Sequence, residues 1–258
     1  MKVQDFFSLG GKSAVVTGGS AGLGFQIAQG LAEAGANLVI CSRNVSRCEQ
    51  AAQELRKLGV DVLATHVDVT APDQVKAMSL AAQERFGRID ILVNNAGGAW
   101  AAPPEKMSLD DWKRIIDLNL TGAFNCSQQV GRAMIQSGGG NIINITSVVA
   151  YRGTNDAILD AISYNTSKGA LISFTKDLAV KWAKYNIRVN AISPGFFPTH
   201  LTEWVIAHRK GKILDRVPLR RLGGPDDLKG AVVFLASRAS DYVTGHVLDV
   251  DGGMASNL

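Results

Sequence analysis

The sequence predicts an α/β fold in which a doubly wound parallel sheet carries helices on both faces. Short apolar runs alternate with helix-length amphipathic stretches along the whole chain, the pattern of repeated strand–helix–strand units. The apolar runs are rich in Val and Ile without polar alternation, as strands buried on both faces require. No linker or shift of composition interrupts the order over 258 residues. Residues 1–258 are therefore expected to form a single domain.

The elements follow in turn. Ser13–Thr17 (SAVVT) reads as a buried strand, followed by Gly-rich residues and a helix from Leu23 to Ala34. Gly35 stands where a helix C-terminus favours glycine. Asn37–Cys41 is the second strand, Ser46–Leu58 a helix stopped by Gly59, and Val60–His66 the third strand. Pro72–Phe86 reads as a helix, with Pro in its favoured first position, and Ile89–Val93 as the fourth strand. Asp110–Gln136 carries one long helical pattern that stops at Gly138–Gly140, and Asn141–Ile145 is the fifth strand. Tyr164–Tyr185 is helical, Arg188–Ile192 a strand, Asp226–Ala236 a helix and His246–Val250 the last strand. The interval 198–225 fits this alternation least well. It holds a helical piece near Leu201–His208 and then mixed basic residues; inserts of this length act as lids or binding loops.

Composition narrows the function. Lys and Arg number 27 against 23 Asp and Glu, a net charge of +4 with no run of five like charges, so a nucleic-acid partner is not expected. No apolar stretch reaches the roughly 18 residues of a membrane span. Residues 1–13 include Asp5 and lack a continuous apolar core, unlike a secretory signal. Three cysteines (Cys41, Cys48, Cys126) without a C-x-x-C pair exclude a disulfide framework and predict a reduced, cytoplasmic compartment. Four scattered His show no ligand spacing, so no metal site is expected.

Chemistry enters at the first strand-to-helix turn, Thr17-Gly18-Gly19-Ser20-Ala21-Gly22-Leu23-Gly24. Glycine removes the Cβ where backbone must approach a pyrophosphate, and the helix that follows offers free N–H groups and a favourable dipole. Strand, glycines and helix in that order are the context of a dinucleotide-binding turn. Further on, Tyr164 and Lys168 stand four apart in a helical stretch and share one face. An ammonium near a phenol favours phenolate, so the pair is expected to lower the phenol pKa and to support general acid–base chemistry. Ser147 lies just past the fifth strand, where ligands of such sheets collect, and its hydroxyl can donate to a substrate oxygen. Thr146 is a rival on position alone. At the end of the second strand Ser42 stands where NAD enzymes of this architecture place a carboxylate, and Arg43 follows. A guanidinium there suits a 2′-phosphate and favours NADP, with NAD the other option; Arg43 reads also as a solvated surface charge. Asn119 sits in a helical stretch despite its poor propensity.

These motifs, with Asn94-Asn95-Ala96-Gly97, Asn119 in NLTG, Pro194-Gly195 with Thr199, and Asp251-Gly252-Gly253, resemble the short-chain dehydrogenase/reductase family, in its order and from Thr17 to Gly253. The resemblance implies a Rossmann-type fold, a homotetramer, and hydride exchange between a nicotinamide cofactor and a secondary alcohol or ketone. It selects Ser147, Tyr164, Lys168 and Asn119 as the catalytic set. Lys168 would also hold the ribose hydroxyls, and Asn119 would distort its helix and hold a water linked to the lysine. The turn residues Gly18, Ser20, Gly22, Leu23 and Gly24, with Ser42 and Arg43, would take the phosphates. Asp68 and Val69 would meet the adenine, although Asp68 reads also as a cap for the helix at Pro72. Asn95, Ala96 and Gly97 would pack on the adenosine ribose. Pro194, Gly195, the Phe197 backbone and the Thr199 hydroxyl would fix the carboxamide. Phe7–Lys12 (FSLGGK) resembles the gluconate 5-dehydrogenase branch, and much of the remainder resembles 3-oxoacyl-carrier-protein reductases equally well.

Two departures and the lid's charge shape the expectations. Ala21 stands where NADP-preferring relatives often carry a second Arg. Ser147 and Tyr164 are 17 apart, longer than usual for the family, so Tyr151–Ile162 is expected to bulge over the substrate pocket. The lid holds His200, His208, Arg209, Lys210, Lys212, Arg216, Arg220 and Arg221 against Glu203 and Asp215, a flank that suits an anionic substrate or is a solvated helix face. Trp100 is expected near the substrate end. A sugar acid or polyol leads as substrate, a 3-oxoacyl thioester is the alternative, and a non-catalytic dinucleotide-binding regulator is the remote one. Epimerases and dehydratases of this fold usually bring a larger substrate domain.

Overall fold

A computed structural model of the protein describes residues 2–155 and 159–257. Seven strands form one parallel sheet: β1 (Ser13–Thr17), β2 (Asn37–Ser42), β3 (Val62–His66), β4 (Ile91–Asn94), β5 (Gly140–Ile145), β6 (Ile187–Pro194) and β7 (Val247–Val250), in the order β3-β2-β1-β4-β5-β6-β7. The chain winds outward from β1 to β3, then crosses back so that β4 pairs the other edge of β1. That reversal opens a crevice beyond the carboxyl ends of β1 and β4, the place where open α/β sheets bind ligands.

Strand side chains alternate between two apolar layers, as the pleat demands. Ala14, Val16, Leu38 and Ile40 join α1 (Gly22–Glu33), α2 (Val45–Arg56) and α8 (Lys229–Ala236) on one face. Val15, Val39 and Cys41 join α3 (Pro72–Phe86), α5 (Gly122–Gln136) and α6 (Ile162–Trp182) on the other. Two-sided burial is why these strands read as continuous apolar runs. No helix among the described residues is long and apolar enough to cross a membrane.

The single helix expected over Asp110–Gln136 is divided. α4 (Leu109–Ile116) passes into a π-turn over Asp117–Thr121 before α5 begins. The side chain of Asn119 causes a long-range demand there: Oδ1 accepts from Gly98 N–H at 2.8 Å and Nδ2 donates to Gly98 C=O at 2.9 Å. β4 starts two residues late because Asp90 is taken by the neighbouring strand's entry, accepting from Ser13 N–H and pairing with Lys12 and Arg88. α8 begins at Lys229, since Asp227 turns back to accept from Gly224 N–H at 2.7 Å. The helical piece of the lid is longer than expected, α7 (Glu203–Leu214).

Candidate active site

The glycine turn joins β1 to α1 at the crevice. Gly18 and Gly22 have φ of 64° and 54°, the left-handed region that favours glycine. A Cβ on Gly24 would lie 2.2 Å from Gly18 O, so glycine is obligatory at that position. Thr17 ties the turn to the end of β4: its Oγ1 accepts from Asn95 and Ala96 N–H, both at 3.0 Å, while Asn95 Nδ2 donates to Thr17 O at 2.9 Å. The result is a cradle with bare backbone at Gly18, Gly22 and Gly24, open to an extended anion.

The turn forms one wall of a cleft of about 380 Å³. Gly18, Gly22, Leu23, Gly24, Asn95, Ala96, Gly97, Ser147, Tyr164, Lys168, Pro194, Gly195, Phe197 and Thr199 all line it. Thr199 crosses from the lid, its methyl 3.5 Å from where a Gly22 Cβ would stand. Ser20, Ser42, Arg43, Asp68, Val69 and Asn119 lie outside this cleft. Ser20 Oγ donates to Ser42 Oγ at 3.3 Å. Val69 is buried, with Gly122 closely packed against it, and its carbonyl accepts from Asn125 Nδ2 at 3.1 Å. Asp68 is no cap for α3. Its carboxylate accepts from Thr70 Oγ1 and Thr70 N–H at 2.7 and 2.9 Å, and these bonds, with Arg43 nearby, hold it below the usual carboxylate range.

Beyond the carboxyl end of β5 the two candidate hydroxyls separate. Thr146 Oγ1 is committed to Ile192 C=O at 3.1 Å. Ser147 faces the cleft, and its hydroxyl is hydrogen-bonded with the Tyr164 phenol. Lys168 stands one turn further along α6, and its Nζ donates to Ile145 C=O at 2.7 Å, 5.7 Å from the centre of the Tyr164 ring. Burial pushes the Lys168 ammonium down to about 8. Burial also pushes the Tyr164 phenol up, opposed by the Ser147 hydrogen bond. The expected lowering of the phenol by the ammonium is therefore overturned: desolvation wins while the ammonium is turned to a backbone carbonyl. Asn119 acts by position. Besides gripping Gly98, its Nδ2 donates to Ser167 Oγ at 2.9 Å, and Ser167 donates to Tyr164 C=O at 2.7 Å. Gly97 leaves room between Asn119 and Lys168, where a Cβ would lie 3.1 Å from Asn119 Oδ1 and 3.6 Å from Nζ.

Several of the lid's basic groups are engaged within the protein. Arg221 forms a fork with Asp227, Arg220 pairs with Asp215 at 3.0 Å, and Arg209 lies over the Trp204 ring. Of the basic lid residues His200 lines the cleft, with its Nδ1 3.4 Å from a Glu203 oxygen. The solvated-face reading of this charge thus fits better than an anion site. Trp100 is about half exposed under the Arg114 guanidinium and stands outside the cleft. The long stretch before α6 does reach the cleft through Leu159, and Asp160 C=O accepts from Ala102 N–H at 3.0 Å; residues 156–158 lie outside the described residues. Sequence reasoning missed the Ile145 carbonyl and Ser167. A backbone acceptor leaves no mark in a sequence.

The family model described as enoyl-(acyl carrier protein) reductase matches residues 18–255. The chain is 42% identical over 250 residues to the 2-dehydro-3-deoxy-D-gluconate 5-dehydrogenase of Escherichia coli, covering 96% of each. It is 42% identical over 245 residues to the 3-oxoacyl-acyl-carrier-protein reductase FabG of Chlamydia muridarum, covering 95% of this chain and 97% of the relative. Among solved structures, a gluconate 5-dehydrogenase from Burkholderia cenocepacia, in complex with NADP and tartrate, superposes with a TM-score of 0.94 at 40% identity, covering 100% of both chains.

Proposed function

The chain belongs to the short-chain dehydrogenase/reductase family, and from that premise we propose an NADP(H)-dependent oxidoreductase that interconverts a secondary alcohol and a ketone, with a sugar acid or polyol as substrate. One observation carries the reading. The Ser147–Tyr164 hydroxyl pair and the Lys168 ammonium face the same cleft as a turn that has no Cβ at Gly18, Gly22 and Gly24. The Cβ-free cradle at Gly18, Gly22 and Gly24 fits a pyrophosphate. Arg43 is exposed beside Ser42, which carries no charge to repel a 2′-phosphate. Bound NADP(H) supplies the hydride donor or acceptor.

The protein's own residues manage the proton and the oxygen. Ser147 donates to the substrate oxygen and holds it against Tyr164. The high phenol pKa set by burial keeps the proton on Tyr164 until the oxygen needs it, and Tyr164 then gives it to that oxygen in the reductive direction. Lys168, a cation near neutral pH, stabilises the phenolate left behind and is placed to hold ribose hydroxyls. Asn95, Ala96 and Gly97 would pack on the adenosine ribose, Asp68 and Val69 on the adenine. Pro194, Gly195, Phe197 and Thr199 would fix the carboxamide.

A 3-oxoacyl thioester is the second reading, favoured by the apolar substrate end of the cleft at Val148, Val149, Leu159, Phe196, Leu201 and Val205. Rates of NADPH oxidation with keto-sugar acids and with acetoacetyl thioesters separate the two. Higher kcat/KM with a keto-sugar acid supports the first. No turnover with any ketone or alcohol would leave a dinucleotide-binding regulator.

The same reading includes a cytoplasmic homotetramer. Along α6, Ala179 is buried in the core while the small and apolar Gly169, Ala170 and Ile172 are half-buried and available to a partner helix. The more exposed apolar groups nearby are Val180 and Phe124. A light-scattering mass near four times 27.4 kDa is the expected result.

A further inference from the structure

We propose that His66 belongs to the 2′-phosphate site and, with Arg43, sets the preference for NADP over NAD; this rests on the reading that the cofactor brings that phosphate to Ser42 and Arg43. The strand register carries the argument. In the parallel pairing of β2 with β3, His66 stands directly beside Ser42. Paired residues project to the same face of a sheet, so the imidazole shares the side of Ser42. Both strands end at this rung, and His66 and Arg43 are exposed there.

Ser42 itself has little to offer a phosphate. Its hydroxyl donates to Asn44 C=O at 3.1 Å and accepts from Asn44 N–H at 3.2 Å and from Ser20 Oγ at 3.3 Å, with Cys48 Sγ 3.1 Å away. A hydroxyl has one proton, and this one is already engaged. A phosphate monoester is an acceptor with close to two negative charges, so its partners must be donors. Arg43 makes no hydrogen bond or ion pair among the described residues. The same Asp68 carboxylate feels both Arg43 and His66, which places the guanidinium and the imidazole around one corner of the fold. Asp68 Oδ1 is bound to Thr70 N–H and Oγ1. Arg43 and His66 thus flank Ser42 with donor groups.

Direct binding tests this. Isothermal titration of wild type, His66→Ala, His66→Gln and Arg43→Ala is run with NADPH, NADH, adenosine 2′,5′-bisphosphate and AMP. His66→Ala is expected to weaken NADPH and the bisphosphate about 3- to 10-fold, the range of one hydrogen bond, and to leave NADH and AMP within about twofold. His66→Gln, which keeps an N–H donor, should recover part of the loss. Equal losses with and without the 2′-phosphate, or no loss, would overturn the assignment. A wild type that prefers NADPH and loses that preference with Arg43→Ala but not with His66→Ala would sink the histidine alone. A wild type that binds NADH as tightly as NADPH would sink the cofactor reading and this inference with it.

Discussion

Replacing Lys168 by Met is expected to stabilise the cofactor-free protein while removing its activity. The side chain is 4% exposed and its Nζ has the Ile145 carbonyl at 2.7 Å. Burial takes its pKa from the ordinary 10.5 to about 8, and at ~1.36 kcal/mol per pKa step that costs the charged form about 3 kcal/mol. Met keeps the apolar stem but leaves the Ile145 carbonyl without its donor, an offset of about 1–2 kcal/mol. The net gain is about 1–2 kcal/mol, or about 2–8 °C in Tm. The sign with pH follows from the lowered pKa. The folded protein loses this proton before the unfolded chain does, so the penalty is complete below about 8 and fades as pH rises toward 10.5. Wild type therefore gains on the variant through that window. Calorimetric melting of both proteins without cofactor, at pH 7 and pH 9.5, reads the effect. A variant that melts below wild type at pH 7, or a difference that ignores pH, would refute the argument that burial of a charge dominates at Lys168.

Tyr164→Phe keeps the ring and removes the proton, so kcat should fall at least about 100-fold with NADPH affinity within about twofold; retention of a tenth of wild-type kcat overturns the role. Gly24→Ala puts a methyl 2.2 Å from Gly18 O and should weaken NADPH binding at least about tenfold while costing about 1–3 kcal/mol of stability; unchanged affinity would mean the cradle is not the cofactor site. Reductive kcat/KM should decline as pH rises through about 8, where Lys168 loses its charge, and a profile flat from pH 6 to 10 would remove the ammonium from the mechanism.

What could be read from the sequence was local. The strands at Ser13 and Asn141 and the helix at Pro72 emerged near their observed bounds because period and capping are written within a few residues. The spacing of Tyr164 and Lys168 likewise placed both on one face of α6. The division of the 110–136 helix was legible only as an expected distortion at Asn119. Its cause, the grip on Gly98, spans 21 residues and a different loop. The lid's basic character was visible, but whether it was free for a substrate was not. Asp215 and Asp227 decide that, and their pairing with Arg220 and Arg221 depends on turns that spacing does not specify. The direction of the Tyr164 shift was misread for a related reason. Sequence shows that an ammonium is near a phenol, while only the fold shows which acceptor the ammonium has taken.

The catalytic geometry depends on how α6 is seated, and here the core is polar where apolar packing would be expected. Asn94 Nδ2 donates to Asn144 Oδ1 at 2.8 Å and to Ser127 Oγ at 2.9 Å, and Asn144 Nδ2 donates to Thr175 Oγ1 at 2.9 Å. This buried chain runs from β4 through β5 to α6, with Ser127 of α5 at one side. Apolar contacts tolerate a helix sliding along a sheet, because burial is not directional. Hydrogen bonds of fixed geometry do not tolerate it, and in a low-dielectric interior their loss is costly. Thr175 lies two turns beyond Lys168, about 10 Å along the helix. A slip of α6 by one turn, about 5.4 Å, would break the Asn144–Thr175 bond and carry Tyr164 away from Ser147. The polar ladder therefore fixes the register in which a phenol on a helix meets a hydroxyl at the end of a strand.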